Sequence, residues 1–465
     1  MTGTATVPAT SLARQYRAVR HASAWLAEPM TVEDQVAQSM PDASPVKWHL
    51  AHTTWFFETF VLKPALPDYR SVNDAFEHLF NSYYNAVGPQ FSRPQRGLVT
   101  RPGVDAVREY RAHVDRWMDT LFERAAAGDA PLAEDVIAIG LHHEQQHQEL
   151  IVTDFKHLLS FNPLRPVYRE RQERQERQER QERQEPQERQ ERQERQERQE
   201  RQERQEPQSG RAAERQAGFP GWVEHSGGLV EIGHAGDGFA YDNETPRHKV
   251  FLRPFRLASR LVTVGEYRAF MEDGGYERPE PWLSDGWATV QAQGWRAPLY
   301  WERHDGAWWQ QTLTGFRQVD DAEPVCHVSF YEADAYARWA GARLASEAEW
   351  ETVAAEAPIN GNFVEDGNWH PAPPAPPASP AAGAPAQIYG DVWEWTQSPY
   401  TSYPGYRAPE GAIGEYNAKF MCNQMVLRGG SCATPRSHIR ASYRNFFPPS
   451  ARWQFAGIRL ASDAG

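Results

Sequence analysis

Between Arg169 and Pro207 the chain repeats the tripeptide Arg-Gln-Glu. The repeat contains no large apolar residue, so it cannot contribute to a hydrophobic core. Most of its glutamates are followed four residues later by an arginine, the order that favours ion pairs along a helix. We therefore expect a solvated spacer, partly helical or disordered, at 166–217. It separates a first domain at 11–165 from a second domain at 218–463.

Length and composition exclude several classes of protein. A chain of 465 residues is too long for one ordinary core, and its net charge of −13 gives no basic stripe for nucleic acid. The three cysteines, Cys326, Cys422 and Cys432, are too few for a disulfide framework and suit a reducing compartment. No apolar run reaches the roughly 18 residues of a membrane span. We expect a soluble cytoplasmic protein with neither a membrane nor a nucleic-acid partner; a homo-oligomer is compatible with the sequence.

The first domain is predicted to be helical. At 107–121 apolar residues recur every three or four positions, as in an amphipathic helix. Another helix opens at Ser44-Pro45, where Ser44 is the expected N-cap. A third runs over about 132–160 and is ended by Asn162-Pro163. Four helices joined by moderate loops predict an antiparallel bundle, whose core is a usual place for metal sites.

The sequence after Gly218 is rich in glycine and tryptophan and has few long periodic segments. A helix is predicted at 331–339, and a capping box formed by Ser346 and Glu349 marks the start of another. Short strands are predicted at 325–329 and 425–428, and a Pro/Ala-rich loop is predicted at 372–385. These features indicate a mixed α+β domain held together by aromatic packing.

The last predicted helix of the first domain carries His143 and His147, four residues apart. This spacing places both imidazoles on one helix face, where they can reach a single metal ion. Imidazole suits iron, zinc or copper, so the pair alone does not choose the metal. Two ligands would hold an ion weakly, and His52 is the best third candidate because it shares a core-facing helix surface with Trp55 and Phe56.

Two further histidines are close in sequence but are not expected to be ligands. His49 is displaced by one helical turn from His52, and His142 points off the stripe formed by His143 and His147. A solvated polar helix face without any metal is the ordinary alternative for such a segment.

The segment from His143 to His147 also has the spacing of a zinc-protease motif, in which Glu144 would be the general base. Two features argue against a zinc hydrolase of this kind. Glu149 stands where those enzymes usually have an apolar residue, and the next histidine, His157, lies in the same helical run rather than in a downstream Gly-x-x-His. The zinc hydrolase remains an alternative hypothesis.

Five motifs follow one another along the chain, and each alone is only modestly specific. They are Leu50-Ala51-His52-Thr53-Thr54-Trp55, His143-Glu144-Gln145-Gln146-His147, Gly390-Asp391-Val392-Trp393-Glu394-Trp395-Thr396, Leu427-Arg428-Gly429-Gly430-Ser431 and Gly457-Ile458-Arg459-Leu460-Ala461. Their order and combination resemble the sulfoxide synthases of ergothioneine biosynthesis. The resemblance implies a DinB-like four-helix bundle followed by a domain of the formylglycine-generating-enzyme type, a variant of the C-type lectin fold.

The resemblance also implies a function. The family contains mononuclear non-haem iron(II) enzymes that use dioxygen to join a cysteine-type thiol to hercynine (trimethylhistidine) and to oxidise the sulfur. The implied iron ligands are His52, His143 and His147, the same three residues that helical spacing selects. A thiolate and an imidazole can both bind the metal, so the two substrates and dioxygen would meet at one centre.

Residues near the substrates follow from the same resemblance. One branch of the family has a catalytic tyrosine pair where this chain has Tyr83 and Tyr84, and we favour Tyr84 as the proton donor. Arg93 and Arg96 would bind the carboxylate of the thiol substrate, for which guanidinium groups are well shaped. Without the resemblance, the tyrosines would be ordinary loop packing and the arginines a solvated turn.

The other substrate residues implied by the resemblance are Gln146, Asn445, Phe446 and Phe447. Gln146 and Asn445 would line the hercynine site. The branch that uses γ-glutamylcysteine has an aspartate at the position of Phe447, where it pairs with the ammonium group of the donor. Phenylalanine cannot form that bond, so L-cysteine is the predicted donor and γ-glutamylcysteine the alternative.

Formylglycine-generating enzymes themselves bind copper through a cysteine pair near the C-terminus. Here Ser437 and Ala441 occupy that neighbourhood, and Cys422 and Cys432 are not suitably placed. Copper chemistry is therefore not expected, and the second domain is predicted to wall the substrate pocket. A carbohydrate-binding or purely structural lectin-like module is a third hypothesis, but it does not explain the histidines.

Overall fold

The computed structural model describes residues 9–170, 221–374, 385–410, 414 and 417–464. The predicted spacer lies outside the described residues except for 166–170, and so does most of the predicted loop at 372–385. Among the described residues no helix combines the length and the apolar composition that crossing a bilayer requires.

The segment before the repeat is helical. Its long helices are α1 (Ala9–Ala27), α3 (Val46–Phe57), α6 (Val104–Ala127) and α7 (Glu134–Ser160), and its short ones are α2 (Val32–Val36), α4 (Lys63–Ala65) and α5 (Phe76–Phe80). A π-helical turn at Glu58–Leu62 continues α3. Helices α1 and α3 each pack against both α6 and α7. The predicted four-helix bundle is therefore confirmed, and α7 corresponds closely to the helix predicted at 132–160.

The start of α3 differs from the prediction. Pro45 occupies the N-cap position, and none of the described side chains caps the helix. The backbone N–H of Ser44 donates to Oδ2 of Asp154 (2.8 Å), and its hydroxyl accepts from Nη1 of Arg96 (2.9 Å). The predicted N-cap at Ser44 is therefore wrong, because a buried guanidinium engages the hydroxyl that would have capped the helix.

Helix α7 approaches α3 closely at Gly140, which has no side chain. A Cβ at this position would lie 2.7 Å from a ring carbon of Phe57 and 2.8 Å from one of Phe56. These distances are well inside ordinary van der Waals contact. The missing side chain therefore allows the histidine pair, one and two turns further along α7, to meet the histidine of α3.

The part after the repeat consists of short strands and a few helices. The strands are β1 (Trp222–His225), β2 (Gly228–Ile232), β3 (His248–Leu252), β4 (Phe255–Ala258), β5 (Trp301–His304), β6 (Ala307–Thr312), β7 (Gly315–Gln318), β8 (Arg343–Leu344), β9 (Trp393–Pro399), β10 (Met425–Arg428), β11 (Asn445–Phe447), β12 (Ala456–Gly457) and β13 (Leu460–Asp463). The helices are α8 (Val264–Glu272), α9 (Ser284–Gln293), α10 (Phe330–Trp339) and α11 (Glu347–Ala354).

Two four-stranded sheets form the centre of this domain, in the orders β1-β4-β13-β8 and β11-β10-β9-β12. Smaller sheets pair β2 with β3 and join β5, β6 and β7. All paired strands are antiparallel except β12 and β9, which run parallel. The second sheet carries residues of all three C-terminal motifs, so its order decides how they meet.

Three of the local predictions in this domain are confirmed and one is wrong. Strand β10, helix α10 and the capping box of Ser346 and Glu349 occur as expected. The segment 325–329 is not a strand; the isolated bridge beside it pairs Pro324 with Thr263. His327 has a φ of 62°, which interrupts an extended backbone. The apolar character of this segment reflects burial rather than strand pairing.

The C-terminal motifs interlock through a buried ion pair. Glu394 on β9 accepts from Nε of Arg459 (2.8 Å), which belongs to the last motif, and from Nε1 of Trp350 (2.8 Å). Gly390, which opens the first of these motifs, has a φ of 76°, and a Cβ there would lie 2.5 Å from the carbonyl oxygen of Asn362. Glycine is therefore required at this turn.

Candidate metal centre

His52 on α3 and His143 and His147 on α7 converge in the core of the bundle. One ligand atom from each lies within 4.8 Å of the others, and the side chains are 0%, 0% and 7% exposed. The Nε2 atoms of His52 and His143 are 3.1 Å apart. Two nitrogens at about 2.1 Å from one ion and at right angles to each other would be about 3 Å apart. The spacing therefore fits two ligands on one face of a metal ion.

The protonation of these histidines also fits a metal ion. Burial lowers the pKa of all three imidazoles, that of His143 to about 3, and their mutual proximity lowers the pKa of His52 and His147 further. Neutral imidazole is the form that binds metals. Nδ1 of His52 is 2.5 Å from the carbonyl oxygen of Phe80, which can only accept a hydrogen bond. The proton of His52 is therefore on Nδ1, and the lone pair of Nε2 is directed to the other histidines.

Aromatic rings enclose the three histidines. Trp48 stacks on the ring of His52 with centroids 4.6 Å apart, and Trp55 stacks on it at 5.6 Å. Phe56 lies 5.0 Å from the ring of His143. This apolar wall restricts the rotation of the ligands and limits the access of water.

A second face of α7 is directed to α1 and α6 rather than to the histidines. Glu144 accepts hydrogen bonds from Nη1 of Arg20 (3.0 Å), Nη2 of Arg111 (2.9 Å) and the hydroxyl of Ser23 (2.6 Å). Burial opposes ionisation, but the two guanidinium groups hold the pKa of Glu144 at about 2. A carboxylate of that pKa, held by two arginines, is a poor general base at neutral pH. The geometry therefore argues against the zinc-hydrolase hypothesis.

A third face of α7, made of residues 142, 145, 146 and 149, contacts the second domain. Its hydrogen bonds join His142 to His438 (2.9 Å), Gln145 to Ser437 (2.6 Å), Gln146 to Tyr443 (2.7 Å) and Glu149 to both Trp393 (2.8 Å) and Ser431 (2.6 Å). Helix α7 is thus hydrogen-bonded directly to residues of two C-terminal motifs. This contact explains why motifs so far apart in sequence occur together.

Arg96, a predicted substrate residue, packs against an aromatic ring that stacks on His52. Its Cζ lies 3.4 Å from the ring centroid of Trp48, which stacks on His52. It donates to the hydroxyls of Ser44 (2.9 Å) and Ser82 (3.2 Å). Burial, reinforced by the neighbouring charge of Arg93, lowers the pKa of Arg96 to about 9. Arg93 itself is exposed.

In the part of the chain that the structure describes, Arg96 is a buried cation without a matching anion. Among the described residues no carboxylate lies within ion-pair distance of it, and its Nε has no hydrogen-bond partner there. A buried charge is normally paired, so this position favours an external anion.

Strand β11 carries the predicted substrate residues Asn445, Phe446 and Phe447, and the alternation of side chains along the strand places them on different sides. Phe446 stacks on Tyr400 with centroids 4.0 Å apart, whereas Phe447 packs edge-on against Trp453 at 5.5 Å. Asn445 accepts the backbone N–H of Phe446 at 2.9 Å through its side-chain oxygen. Because side chains alternate along a strand, Asn445 and Phe447 share one side of β11 and Phe446 lies on the other.

The two tyrosines occupy different surroundings. Tyr84 is 1% exposed and packs against Trp55 (5.6 Å between centroids) and Phe60 (5.1 Å). Tyr83 is half-buried and contacts Phe420 of the second domain edge-on at 5.3 Å. The Tyr84 ring therefore contacts Trp55, which itself stacks on His52, whereas Tyr83 lies at the contact between the domains.

The residues considered for copper in the second domain differ in their contacts and in their burial. Ser437 accepts from Gln145 as described above, and the carbonyl of Ala441 accepts from Nη1 of Arg428 (2.8 Å). Cys432 is buried and Cys422 is exposed, and both are free thiols. The expectation that copper is not used stays a prediction.

The sequence interpretation missed the residues that fix α7 in place. Arg111 follows Val107 by four positions and precedes Val114 by three, so it interrupts the apolar stripe of α6. A charged residue at such a position is a signal for a buried partner, and the partner is Glu144. The interface role of Glu149 had a weaker signal, the helical spacing of polar residues along a third face of α7.

Comparison with known proteins assigns both parts of the chain to families. Residues 206–376 and 364–464 match the sulfatase-modifying factor enzyme 1-like domain, and residues 15–151 match the DinB superfamily. The predicted fold class is therefore confirmed for both domains.

Three curated relatives share substantial identity with the chain. Hercynine oxygenase of Mycolicibacterium smegmatis is 40% identical over 257 residues, covering 48% of this chain and 56% of the relative. Hercynine oxygenase of Mycobacterium tuberculosis is 38% identical over 256 residues, covering 50% and 59%. Formylglycine-generating enzyme of Streptomyces coelicolor is 30% identical over 310 residues, covering 54% and 92%. The chain spans little more than half the length of the two hercynine oxygenases.

These relatives confirm the resemblance that the five motifs indicated. The match to the sulfatase-modifying factor domain extends from residue 206 to residue 464, more than half of the chain. The chain belongs to the sulfatase-modifying factor enzyme 1-like family and carries a DinB-superfamily helical bundle before that domain.

Proposed function

We propose that the chain is an iron(II)- and dioxygen-dependent sulfoxide synthase that joins L-cysteine to hercynine, giving hercynylcysteine sulfoxide. The observation that carries the proposal is the group of three buried, neutral histidines on α3 and α7. Bound there, iron(II) would supply the redox chemistry that couples dioxygen to the two substrates. The names of the two mycobacterial relatives support hercynine as the substrate.

The overall reaction balances with these reactants alone. A carbon–sulfur bond replaces the imidazole C–H of hercynine and the S–H of cysteine, and the sulfur gains one oxygen. This is a four-electron oxidation of the substrates, and dioxygen accepts all four electrons. One oxygen atom enters the sulfoxide, and the other leaves as water with the two hydrogens.

Residues around the triad support recognition of two charged substrates. Arg96 offers a buried cation that matches the carboxylate of cysteine. Gln146 is held at the domain contact by its hydrogen bond to Tyr443 (2.7 Å), next to His147 in sequence. The aromatic wall of Trp48 and Trp55 limits water around the reacting groups.

Anaerobic reconstitution tests the proposal. The full chain is loaded with iron(II), supplied with hercynine and cysteine, and then exposed to dioxygen, and the products are identified by mass spectrometry. We expect the mass of hercynylcysteine sulfoxide and one iron per chain. A zinc-loaded chain serves as the matched control and should give no product. Peptide hydrolysis by the zinc form, with no sulfoxide from the iron form, would favour the hydrolase instead.

Replacing Arg96 by glutamine should raise the KM for cysteine by about 10- to 100-fold. A hydrogen bond to a charged group contributes about 1.5–3 kcal/mol, and 1.4 kcal/mol corresponds to a factor of about ten. Cysteamine lacks the carboxylate, so its kcat/KM should be similar in the variant and the wild type. The exposed Arg101→Gln serves as the control. Equal losses with cysteine and cysteamine would contradict the assignment.

Cysteine should be preferred to γ-glutamylcysteine by at least about 100-fold in kcat/KM, because a buried ammonium without a partner costs several kcal/mol. Phe447→Asp should reduce this preference by supplying the missing carboxylate, and Phe447→Leu, which adds no charge, should not. Competition with both thiols present measures the ratio. A wild-type kcat/KM for γ-glutamylcysteine equal to or above that for cysteine would refute the prediction.

Replacing Tyr84 by phenylalanine should divert most product from the sulfoxide to cysteine sulfinate. The Tyr84 hydroxyl would supply the proton that favours carbon–sulfur bond formation over simple thiol oxidation. Tyr83→Phe, made in the half-buried neighbour, is the matched control and should have the smaller effect. Product ratios measured by mass spectrometry that stay unchanged in both variants and in the double variant would exclude the role.

A further inference from the structure

Behind His147 lies a row of buried polar side chains outside the metal triad. Nδ1 of His147 is 2.8 Å from Nδ1 of His49, and Nε2 of His49 is 3.1 Å from Oδ2 of Asp154. The same carboxylate oxygen accepts the backbone N–H of Ser44 at 2.8 Å. His49 and Asp154 are 2% and 5% exposed. The one-turn displacement of His49 from His52 thus directs it to the outer nitrogen of a ligand.

Only one arrangement of protons satisfies these contacts and leaves His147 able to bind a metal. A carboxylate can only accept, so Nε2 of His49 carries the proton and donates to Asp154. Nδ1 of His49 is then an acceptor, and His147 donates to it from Nδ1–H. Nε2 of His147 keeps its lone pair. A proton on Nδ1 of His49 would reverse the last bond and remove that lone pair.

We propose that His49 and Asp154 are a positioning pair for His147, fixing its tautomer and ring orientation so that Nε2 faces the metal. The inference rests on the proposed function, because it requires a metal at the triad. His52 obtains the same orientation from a neutral backbone carbonyl, that of Phe80. The Asp154 carboxylate, acting through His49, additionally makes His147 a stronger electron donor.

A purely structural role for the same bonds predicts different results. His49 and Asp154 also join α3 to α7, so their loss could affect stability without any specific effect on the metal. Two properties separate the roles: the affinity for the metal alone, and the midpoint potential of the iron(III)/iron(II) couple. Stronger electron donation stabilises iron(III), so the positioning role requires both properties to depend on the pair.

The experiment uses the full chain and three variants. Iron(II) and zinc(II) affinities are measured anaerobically by competition with a chromogenic chelator, and the potential is measured by redox titration. His49→Leu removes the acceptor, and we expect metal affinity to fall about 10- to 100-fold. His49→Asn, whose side-chain oxygen can take the place of Nδ1, should recover most of that loss. Asp154→Asn should shift the potential to a more positive value.

Either of two outcomes would overturn the proposal. These are wild-type affinities and potentials in all variants, or equal losses in His49→Leu and His49→Asn. If His49→Leu does not fold, Asp154→Asn and His49→Asn decide the question, because both keep a polar side chain at the substituted position. Zinc affinities that follow the expected order, in a chain that forms no sulfoxide, would refute the proposed function while supporting the positioning pair.

Discussion

Replacing His52 by alanine is expected to remove the metal and to abolish sulfoxide formation. The change takes one of three converging ligands from a site that is otherwise buried and apolar. Two remaining imidazoles would hold a divalent ion weakly, so the affinity for iron(II) should fall by well over 100-fold, beyond the loss typical of residues behind a ligand. Iron content after gel filtration and product formation by mass spectrometry measure the two effects.

The control for this variant is an exposed histidine on the same bundle. His21→Ala on α1 should retain iron and activity, because His21 lies at the surface. His143→Ala and His147→Ala should behave as His52→Ala does. Full iron occupancy and turnover in the His52 variant would show that the metal lies elsewhere.

Replacing Glu144 by glutamine is expected to lower the free energy of unfolding by about 3–5 kcal/mol. Glutamine leaves Arg20 and Arg111 buried with much of their compensating charge removed; Arg20 retains the carboxylate of Asp115 at 2.7 Å. Denaturant unfolding of the metal-free chain measures the loss. Asp119→Asn is the matched control, because it breaks an exposed pair with Arg17 and should cost less than about 1 kcal/mol.

The stability difference between the wild type and Glu144→Gln should depend on pH. The pKa of Glu144 is about 2 in the folded chain and 4.5 ordinarily, so its ionisation stabilises the fold fully above pH 4.5. That contribution, about 3 kcal/mol for such a shift, is lost as pH falls from 4.5 toward 2. The two unfolding free energies should converge over this range. A constant difference would mean that the loss comes from packing rather than charge.

Local sequence determined the features that depend on helical periodicity. The four-residue spacing of His143 and His147 already fixes their relative position, because α-helical residues at that spacing lie on one face. His52 could be selected for the same reason, since its aromatic neighbours on α3 mark a buried face. Helices α6, α7 and α10, the capping box at Ser346 and strand β10 were likewise predictable from nearby residues.

Only the tertiary structure decided what the other faces of α7 contact. Glu144 and Glu149 are both glutamates of the same helix, yet one pairs with arginines of α1 and α6 and the other accepts from Trp393 and Ser431. Helical spacing gives the direction of a side chain but not the element it meets.

The same limit explains the wrong N-cap prediction at Ser44 and the missed pair behind His147. Ser44 has the chemistry of an N-cap, but Arg96, distant in sequence, binds its hydroxyl. Asp154 meets His49 because α3 and α7 pack against each other. The periodicity of a helix or strand depends on neighbouring residues. Contacts between residues 50 or 100 positions apart depend instead on how whole elements pack. The sequence by itself therefore determined which histidines could share a metal, and tertiary packing decided what holds them in place.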